Sequence, residues 1–261
     1  MNRPRKKKSL GQHFLRDRNM IAKIADSVPA GADDWVVEIG PGDGALTEQL
    51  AARYKRFLAI EIDPVMVQHL NESLPDVKVL HQDILAFDWG EVGEQDEPVH
   101  VVGNLPYYIT SQILFALLAE RRRLKTATLM MQKEVARRIV AEHGNREYGI
   151  LSVQTQLMST PSILFDVPPG VFSPPPKVDS SVLQLQFDQG ALPCSDEHLK
   201  TVVRTAFNQR RKKLSNALKP VTDSLPADIV DASLRPEALT PAMYASLTAR
   251  LEQLGTFGEQ E

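Results

Sequence analysis

WVVEIGPGDGALTEQLAARY, residues 35–54, holds three signals in one short stretch. An apolar run of strand length, Trp35 to Ile39, leads into a turn with glycines at 40, 42 and 44, and an amphipathic segment, LTEQLAARY, follows. A strand that stops at a glycine turn and hands over to a helix is the first half of a strand–helix–strand unit. The glycines let the backbone turn sharply and approach a ligand closely, which any side chain would prevent.

The same alternation continues outward as RFLAIEID, PVMVQHLNES, VKVLHQD, VHVVGNLP, TSQILFALLAE and TATLMMQ, ending at Gln132. Short apolar runs that take turns with amphipathic segments predict an α/β, doubly wound domain with a mostly parallel sheet covered on both faces. The helical segments KEVARRIVAE and GILSVQTQLMS come next, and then ILFDVP and SSVLQLQF, which are separated by the proline-rich VPPGVFSPPPKVD instead of a helix. Two closing strands joined in that way can pair antiparallel.

Beyond Phe187, DQGALPCSDE reads as a polar, turn-rich linker. HLKTVVRTAFNQ, RKKLSNALKPV, ADIVDAS and TPAMYASLTARLEQL follow with helical period only. The expected organisation is one α/β domain over residues 1–189, with a basic segment at 1–10, and a small all-α domain over residues 190–261.

A chain of 261 residues with 43% hydrophobic content can bury one substantial core and leaves length for a smaller second domain. No stretch reaches the about 18 consecutive apolar residues of a membrane span, and the basic start MNRPRKKKSLGQHFL has no apolar run behind it. Neither secretion nor a membrane is expected. The single cysteine, Cys194, allows no internal disulfide, and the six histidines show no ligand-like spacing. A cytoplasmic, metal-free protein is the expectation.

The formal net charge is −3, yet the cations are clustered. Arg3, Arg5, Lys6, Lys7 and Lys8 form one acid-free run; Arg121, Arg122, Arg123 and Lys125 a second; Arg210, Arg211, Lys212 and Lys213 a third. Together they hold thirteen of the thirty Lys and Arg, which points to a polyanionic partner.

Open α/β sheets bind ligands at the carboxyl ends of their strands, and four successive strand ends here are polar. EIGPGDG ends the first; its spacing is not the dinucleotide fingerprint G-x-G-x-x-G. IEID places Glu61 where a carboxylate can accept both hydroxyls of a ribose, and HQDIL places Asp83 where one can take an adenine amino group. The fourth end is NLPYYI, Asn104 to Ile109.

The ordered set GQHFL, EIGPGDGALT, EID, QDI, NLPYYI, LMMQKEVARRI, FSPPPKVDSSV and FNQRRKKLSNAL resembles the ribosomal RNA adenine dimethyltransferases, most closely the small-subunit branch, over about Lys8 to Leu218. The resemblance implies a class I methyltransferase fold, Rossmann-like, with a seven-stranded sheet whose last strand is antiparallel, and S-adenosylmethionine (SAM) as methyl donor. It implies two adjacent adenosines in the loop of a hairpin near the 3′ end of 16S rRNA as substrate, each dimethylated at N6, with the rRNA met in the small ribosomal subunit or its precursor. A role in small-subunit biogenesis and a monomeric enzyme are expected with it. Carried over, His13 and Leu15 fall in the segment that closes over the cofactor, Gly40 approaches its methionine end, Glu61 takes the ribose, Asp83 the adenine, and Asn104 lies next to the methyl group. His13 stands where the family often carries Asn.

On that footing NLPYYI has a chemical reading. An adenine amine is a poor nucleophile because its lone pair is delocalised into the ring. If the Asn104 side-chain oxygen and the Leu105 carbonyl each accept one N–H, the nitrogen is drawn toward a tetrahedral shape with its lone pair free. Pro106 would aim the Leu105 carbonyl, Tyr107 and Phe172 would stack on the two faces of a flipped base, and Tyr108 is left to packing. Arg121, Arg122, Arg123, Arg210, Arg211, Lys212 and Lys213 would hold RNA phosphate. Three other readings stay open: N-methylation of another planar amide or amine such as a protein glutamine, a 23S rRNA adenine methyltransferase, and a non-catalytic RNA-binding assembly factor.

Overall fold

The structure is a computed structural model and describes residues 13–187 and 190–258. The basic segment at 1–10 lies outside the described residues. A two-residue strand β1 (Phe14–Leu15) and helix α1 (Arg18–Asp26) precede the alternating region. That region contains β2 (Trp35–Ile39), α2 (Ala45–Ala51), β3 (Arg56–Glu61), α3 (Pro64–Ser73) and β4 (Lys78–His81). It continues with β5 (Val99–Asn104), α4 (Thr110–Ala119) and β6 (Leu124–Gln132). Then come α5 (Lys133–Val140), α6 (Ile150–Met158), β7 (Ser159–Val167), β8 (Phe172–Ser173) and β9 (Ser180–Phe187). Helices α7 (Asp196–Asn208), α8 (Leu214–Ala217) and α9 (Pro241–Gln253) close the described chain.

Seven strands form one sheet in the order β4-β3-β2-β5-β6-β9-β7. The pairs β3–β4, β2–β3, β2–β5 and β5–β6 are parallel, and β9 runs antiparallel to β6 from Thr126↔Gln186 to Gln132↔Ser180. The chain leaves β2 outward through β3 to β4, then returns to β5 on the other side of β2, so the carboxyl ends of β2 and β5 flank the crevice where strand order reverses. Burial explains why these runs are strands: Val36, Val37 and Ile39 of β2 and Val99, Val101 and Val102 of β5 are all in the core, as a parallel sheet covered on both faces requires. Each such side chain contributes roughly 1.5–3 kcal/mol on burial. Gly103 is glycine because a Cβ there would lie 2.7 Å from the Ile39 carbonyl of the neighbouring strand.

The helices start on side-chain caps. Asp17 accepts from Met20 N at 2.8 Å ahead of α1, and Asp63 accepts from Val65 N ahead of α3, whose first residue is Pro64. Helix α1 buries Ile21, Ile24 and Ala25 in a cluster with Val36, Val182 and Phe172.

The chain groups into two compact units, one running to Ala136 and taking in Ser162–Phe187, the other made of Arg137–Pro161 and the chain from Asp188 on. The expected domain boundary at 189–190 lies beside one of these seams, but the second unit also includes α6. The reason is packing: α6 lies against α7 and α9, which themselves pack together. Tyr148 and Tyr244 are fully buried in that unit and donate to the Leu239 and Pro236 carbonyls, with Phe207 against both rings. Two helical expectations are corrected here. RKKLSNALKPV is helical only over α8, and ADIVDAS is turns, because the Leu234 and Ala232 carbonyls accept from Leu214 N and Ser215 N at the open end of α8.

Candidate active site

The carboxyl ends of β2, β3 and β5 and the turn after β4 open on one cavity of about 1050 Å³, counted out to its mouth. Its walls include His13, Leu15, Glu38, Gly40, Gly42, Glu61, Asp83, Asn104, Leu105, Pro106, Tyr107 and Tyr108. The sequence-predicted residues His13, Leu15, Gly40, Glu61, Asp83, Asn104, Leu105, Pro106 and Tyr107 are therefore brought together.

The glycine turn is possible because Gly40, Gly42 and Gly44 all take positive φ. At Gly42, φ is +58° and a Cβ would fall 2.9 Å from the Phe14 ring, so the residue is fixed by conformation and by space. Glu61, buried at the end of β3, accepts from Gly42 N at 3.1 Å and Asp63 N at 2.9 Å. It thereby braces the turn as well as facing the cavity. Burial raises its pKa against the pull of those N–H donors. Asp83 accepts from Leu85 N at 3.0 Å and still has lone pairs toward the cavity it lines.

Glu38 was not singled out by sequence reasoning. It is 2% exposed, it lines the cavity, and its Oε2 has no hydrogen-bond partner among the described residues. Burial pushes its carboxyl up to about 8; Thr47 opposes the shift and the Glu61 charge adds to it. A buried carboxyl with one oxygen unpaired can accept a hydrogen bond from a ligand in the cavity. The signal in the sequence was a charge inside the strand WVVEI.

Asn104 ends β5, and its side-chain amide donates to the His13 carbonyl at 3.0 Å. The amide nitrogen is engaged by the protein, and the oxygen is the end left to accept from a ligand. Leu105 N donates to the Met130 carbonyl at 3.0 Å, and the Pro106 carbonyl accepts from Ile109 N and the Thr110 hydroxyl, so the turn is tied to β6 on one side and to α4 on the other. Tyr107 is half-buried, its hydroxyl 2.8 Å from Ser180 Oγ at the start of β9 and its ring stacked at 5.6 Å on His13. Burial raises its pKa.

His13 belongs to a strap. Residues Phe14 and Leu15 pair antiparallel with Ser173 and Phe172, His13 Nδ1 lies 2.8 Å from the Pro174 carbonyl, and Arg16 pairs with Asp43 of the glycine turn at 2.5 Å.

Five residues sit otherwise than expected. Phe172, expected as the second face of a base clamp, is 4% exposed, packs in the core cluster with Leu15 and Ile24, and is not among the residues that line the cavity. Tyr108 is 59% exposed at the cavity mouth and is not a packing residue. Arg121 is buried with one N–H on the Leu118 carbonyl, and Arg123 donates to the Glu94, Trp89 and Val92 carbonyls, so both point into the protein. Arg210 is half-buried, bonded to the Asn145 carbonyl and 3.6 Å from Glu237. Arg122, Arg211, Lys212 and Lys213 are exposed.

An antiparallel strand set beside the last parallel one is what separates the class I methyltransferases from other doubly wound folds, and the donor of that class is SAM. The cavity fits such a donor through Glu38, whose Oε2 has no partner among the described residues, the glycine turn, where a Cβ at position 42 would clash with Phe14, and the carboxylates of Glu61 and Asp83. Residues 3–243 match the family described as ribosomal RNA adenine dimethylase, and the chain belongs to that family. It is 46% identical to the ribosomal RNA small subunit methyltransferase A of Salinibacter ruber, over 95% of this chain and 86% of that one. It is 41% identical to the protein of the same name from Chlorobium phaeobacteroides, over 95% and 94%. Among solved structures, the 23S rRNA methyltransferase ErmE superposes with a TM-score of 0.70 at 30% identity, over 92% of this chain and 100% of that one. A dimethyladenosine transferase from Plasmodium falciparum superposes with a TM-score of 0.79 at 24% identity, over 93% and 98%, and shares the fold.

Proposed function

We propose that this protein transfers methyl groups from SAM to N6 of two adjacent adenosines in a hairpin loop near the 3′ end of 16S rRNA, in the small ribosomal subunit or its precursor, acting in the cytoplasm as a monomer. SAM supplies an electrophilic methyl group carried on a sulfonium. Everything else falls to the chain. Glu61, Asp83 and Glu38 hold the donor; the Asn104 oxygen and Leu105 carbonyl accept the two N–H groups of the target amine, freeing its lone pair and stabilising the charge that develops on nitrogen. Tyr107 offers a stacking face, worth roughly 1–3 kcal/mol per base, and its Ser180 bond fixes the ring. Exposed Arg122, Arg211, Lys212 and Lys213 meet phosphate.

The observation that carries this reading is the donation from the Asn104 amide to the His13 carbonyl, which leaves an acceptor where the amine needs one. The names borne by the relatives support the small subunit as the source of the RNA. The test is incubation with labelled SAM and under-methylated small subunits, then nucleoside analysis. N6,N6-dimethyladenosine in 16S rRNA is expected. Label found only in 23S rRNA of added large subunits, only in protein, or nowhere would overturn the proposal.

A further inference from the structure

We infer that Arg16 is a positioning residue: through its ion pair with Asp43 it latches the strap of residues 13–16 onto the glycine turn, and so sets the direction of the Asn104 side chain. The inference rests on the reading of the cavity as the site of methyl transfer.

The strap touches both halves of the cavity. At one end Phe14 lies over Gly42, and at the other the His13 carbonyl receives the Asn104 amide. Its other ties run to β8 and the loop around it, since β1 pairs with β8, Arg16 N donates to the Val171 carbonyl and His13 Nδ1 meets the Pro174 carbonyl, and the His13 ring also stacks on Tyr107. The ion pair of Arg16 Nη2 with Asp43 Oδ2 at 2.5 Å is a direct polar link from strap to glycine turn.

Asp43 is 9% exposed at its side chain, and Arg16 is 27% exposed. A carboxylate so little hydrated holds its partner more firmly than a surface ion pair does. The guanidinium also sits 5.4 Å over the Phe14 ring, so the same cation that grips Asp43 presses Phe14 toward Gly42. Arg16 itself is not among the residues lining the cavity, whereas Asp43 is. Any effect of Arg16 on the cavity therefore passes through Asp43 and the strap.

The chain of contacts is short. Arg16 fixes Asp43 and Phe14, the strap holds the His13 carbonyl in place, and that carbonyl orients the one side chain whose oxygen must meet the target amine. With the latch released, the Asn104 amide can turn, and a rotated amide presents an N–H donor to an N–H donor. Small errors in the placement of such a group lower a rate by about tenfold to a hundredfold.

Arg16→Gln, Arg16→Lys, Asp43→Asn and the Arg16→Gln/Asp43→Asn double variant test this in the full chain. In Arg16→Gln the single-turnover methylation rate at saturating SAM should fall about tenfold, with RNA affinity unchanged. Arg16→Lys should recover most of the rate, and the double variant should be no slower than Asp43→Asn alone, because the two side chains act as one unit. Hydrogen exchange of the ligand-free protein gives a reading that needs no activity: amides of residues 14–16 should exchange faster in Arg16→Gln, and those of β2 should not. An unchanged saturating rate, additive losses in the double variant, or unaltered exchange over residues 14–16 would overturn the latch. A wild-type protein that neither binds SAM nor methylates RNA would instead overturn the reading of the cavity, and the exchange result would still decide whether Arg16 holds the strap.

Discussion

Replacing Glu38 by Gln should change how stability responds to pH. In the folded chain the Glu38 carboxyl is raised to about 8 by burial, from an ordinary value of 4.5. Between those two values the unfolded chain has released a proton that the native chain keeps. Stability is therefore full below pH 4.5, falls by about 1.4 kcal/mol per pH unit as pH rises, and levels off above about pH 8. The loss accumulates to about 4–5 kcal/mol, a large part of the roughly 5–15 kcal/mol that holds a domain folded. Gln has nearly the same shape and no proton to release. Its amide N–H groups would meet the place where Oε2 has no partner, and that penalty applies equally at every pH. The assay is urea unfolding of ligand-free wild type and Glu38→Gln at pH 5 and pH 8.5. The difference in unfolding free energy should move in favour of the variant by about 4 kcal/mol between the two. A difference constant to within about 0.5 kcal/mol would refute the argument, because the carboxyl would then ionise in the cavity as easily as in water.

Asn104→Ala should lower the single-turnover rate by orders of magnitude with SAM and RNA affinities nearly unchanged, since the interaction strengthens as charge develops; a normal rate would remove Asn104 from the mechanism. Phe172→Ala should destabilise the protein by about 3–5 kcal/mol, as loss of a core ring does, read from thermal or urea unfolding. A normal melting temperature with a selective loss of base binding would restore Phe172 to the site. Changing Arg211, Lys212 and Lys213 together to Ala should flatten the salt dependence of RNA binding while SAM affinity holds. Arg121→Ala should leave that slope untouched and lower stability instead, because the guanidinium is buried.

The sheet was legible because its signal is local and repeated: each strand is a short apolar run, and each ends on residues that a buried strand would not tolerate, the Gly40 turn, Glu61, Asp83 and Asn104. Cavity residues at those ends followed directly. Side-chain direction was not legible. Phe172 and Leu15 face the core because two-residue strands pair across about 160 positions of sequence, and Arg121 turns inward at the end of a helix that its neighbour Arg122 leaves for solvent. Glu38 was hidden for the opposite reason: a charge within WVVEI looks like one polar position in a strand, and only the fold shows that no partner meets Oε2. Residues 227–233 carry helical spacing, yet Pro226 and the demand of α8 for carbonyl acceptors hold them in turns.

The contact that orients Asn104 comes from the main chain at position 13, and a main-chain oxygen is present whichever side chain stands there. A scan that exchanges side chains one at a time would find His13 dispensable for this purpose and would pass over the strap. A deletion would not. Removing one residue from β1 slips a two-rung ladder by one register and turns its side chains to the opposite face, carrying the position-13 carbonyl away from the amide. The His here and the Asn that the resemblance led one to expect are then two spellings of a position whose carbonyl, not its side chain, meets the Asn104 amide.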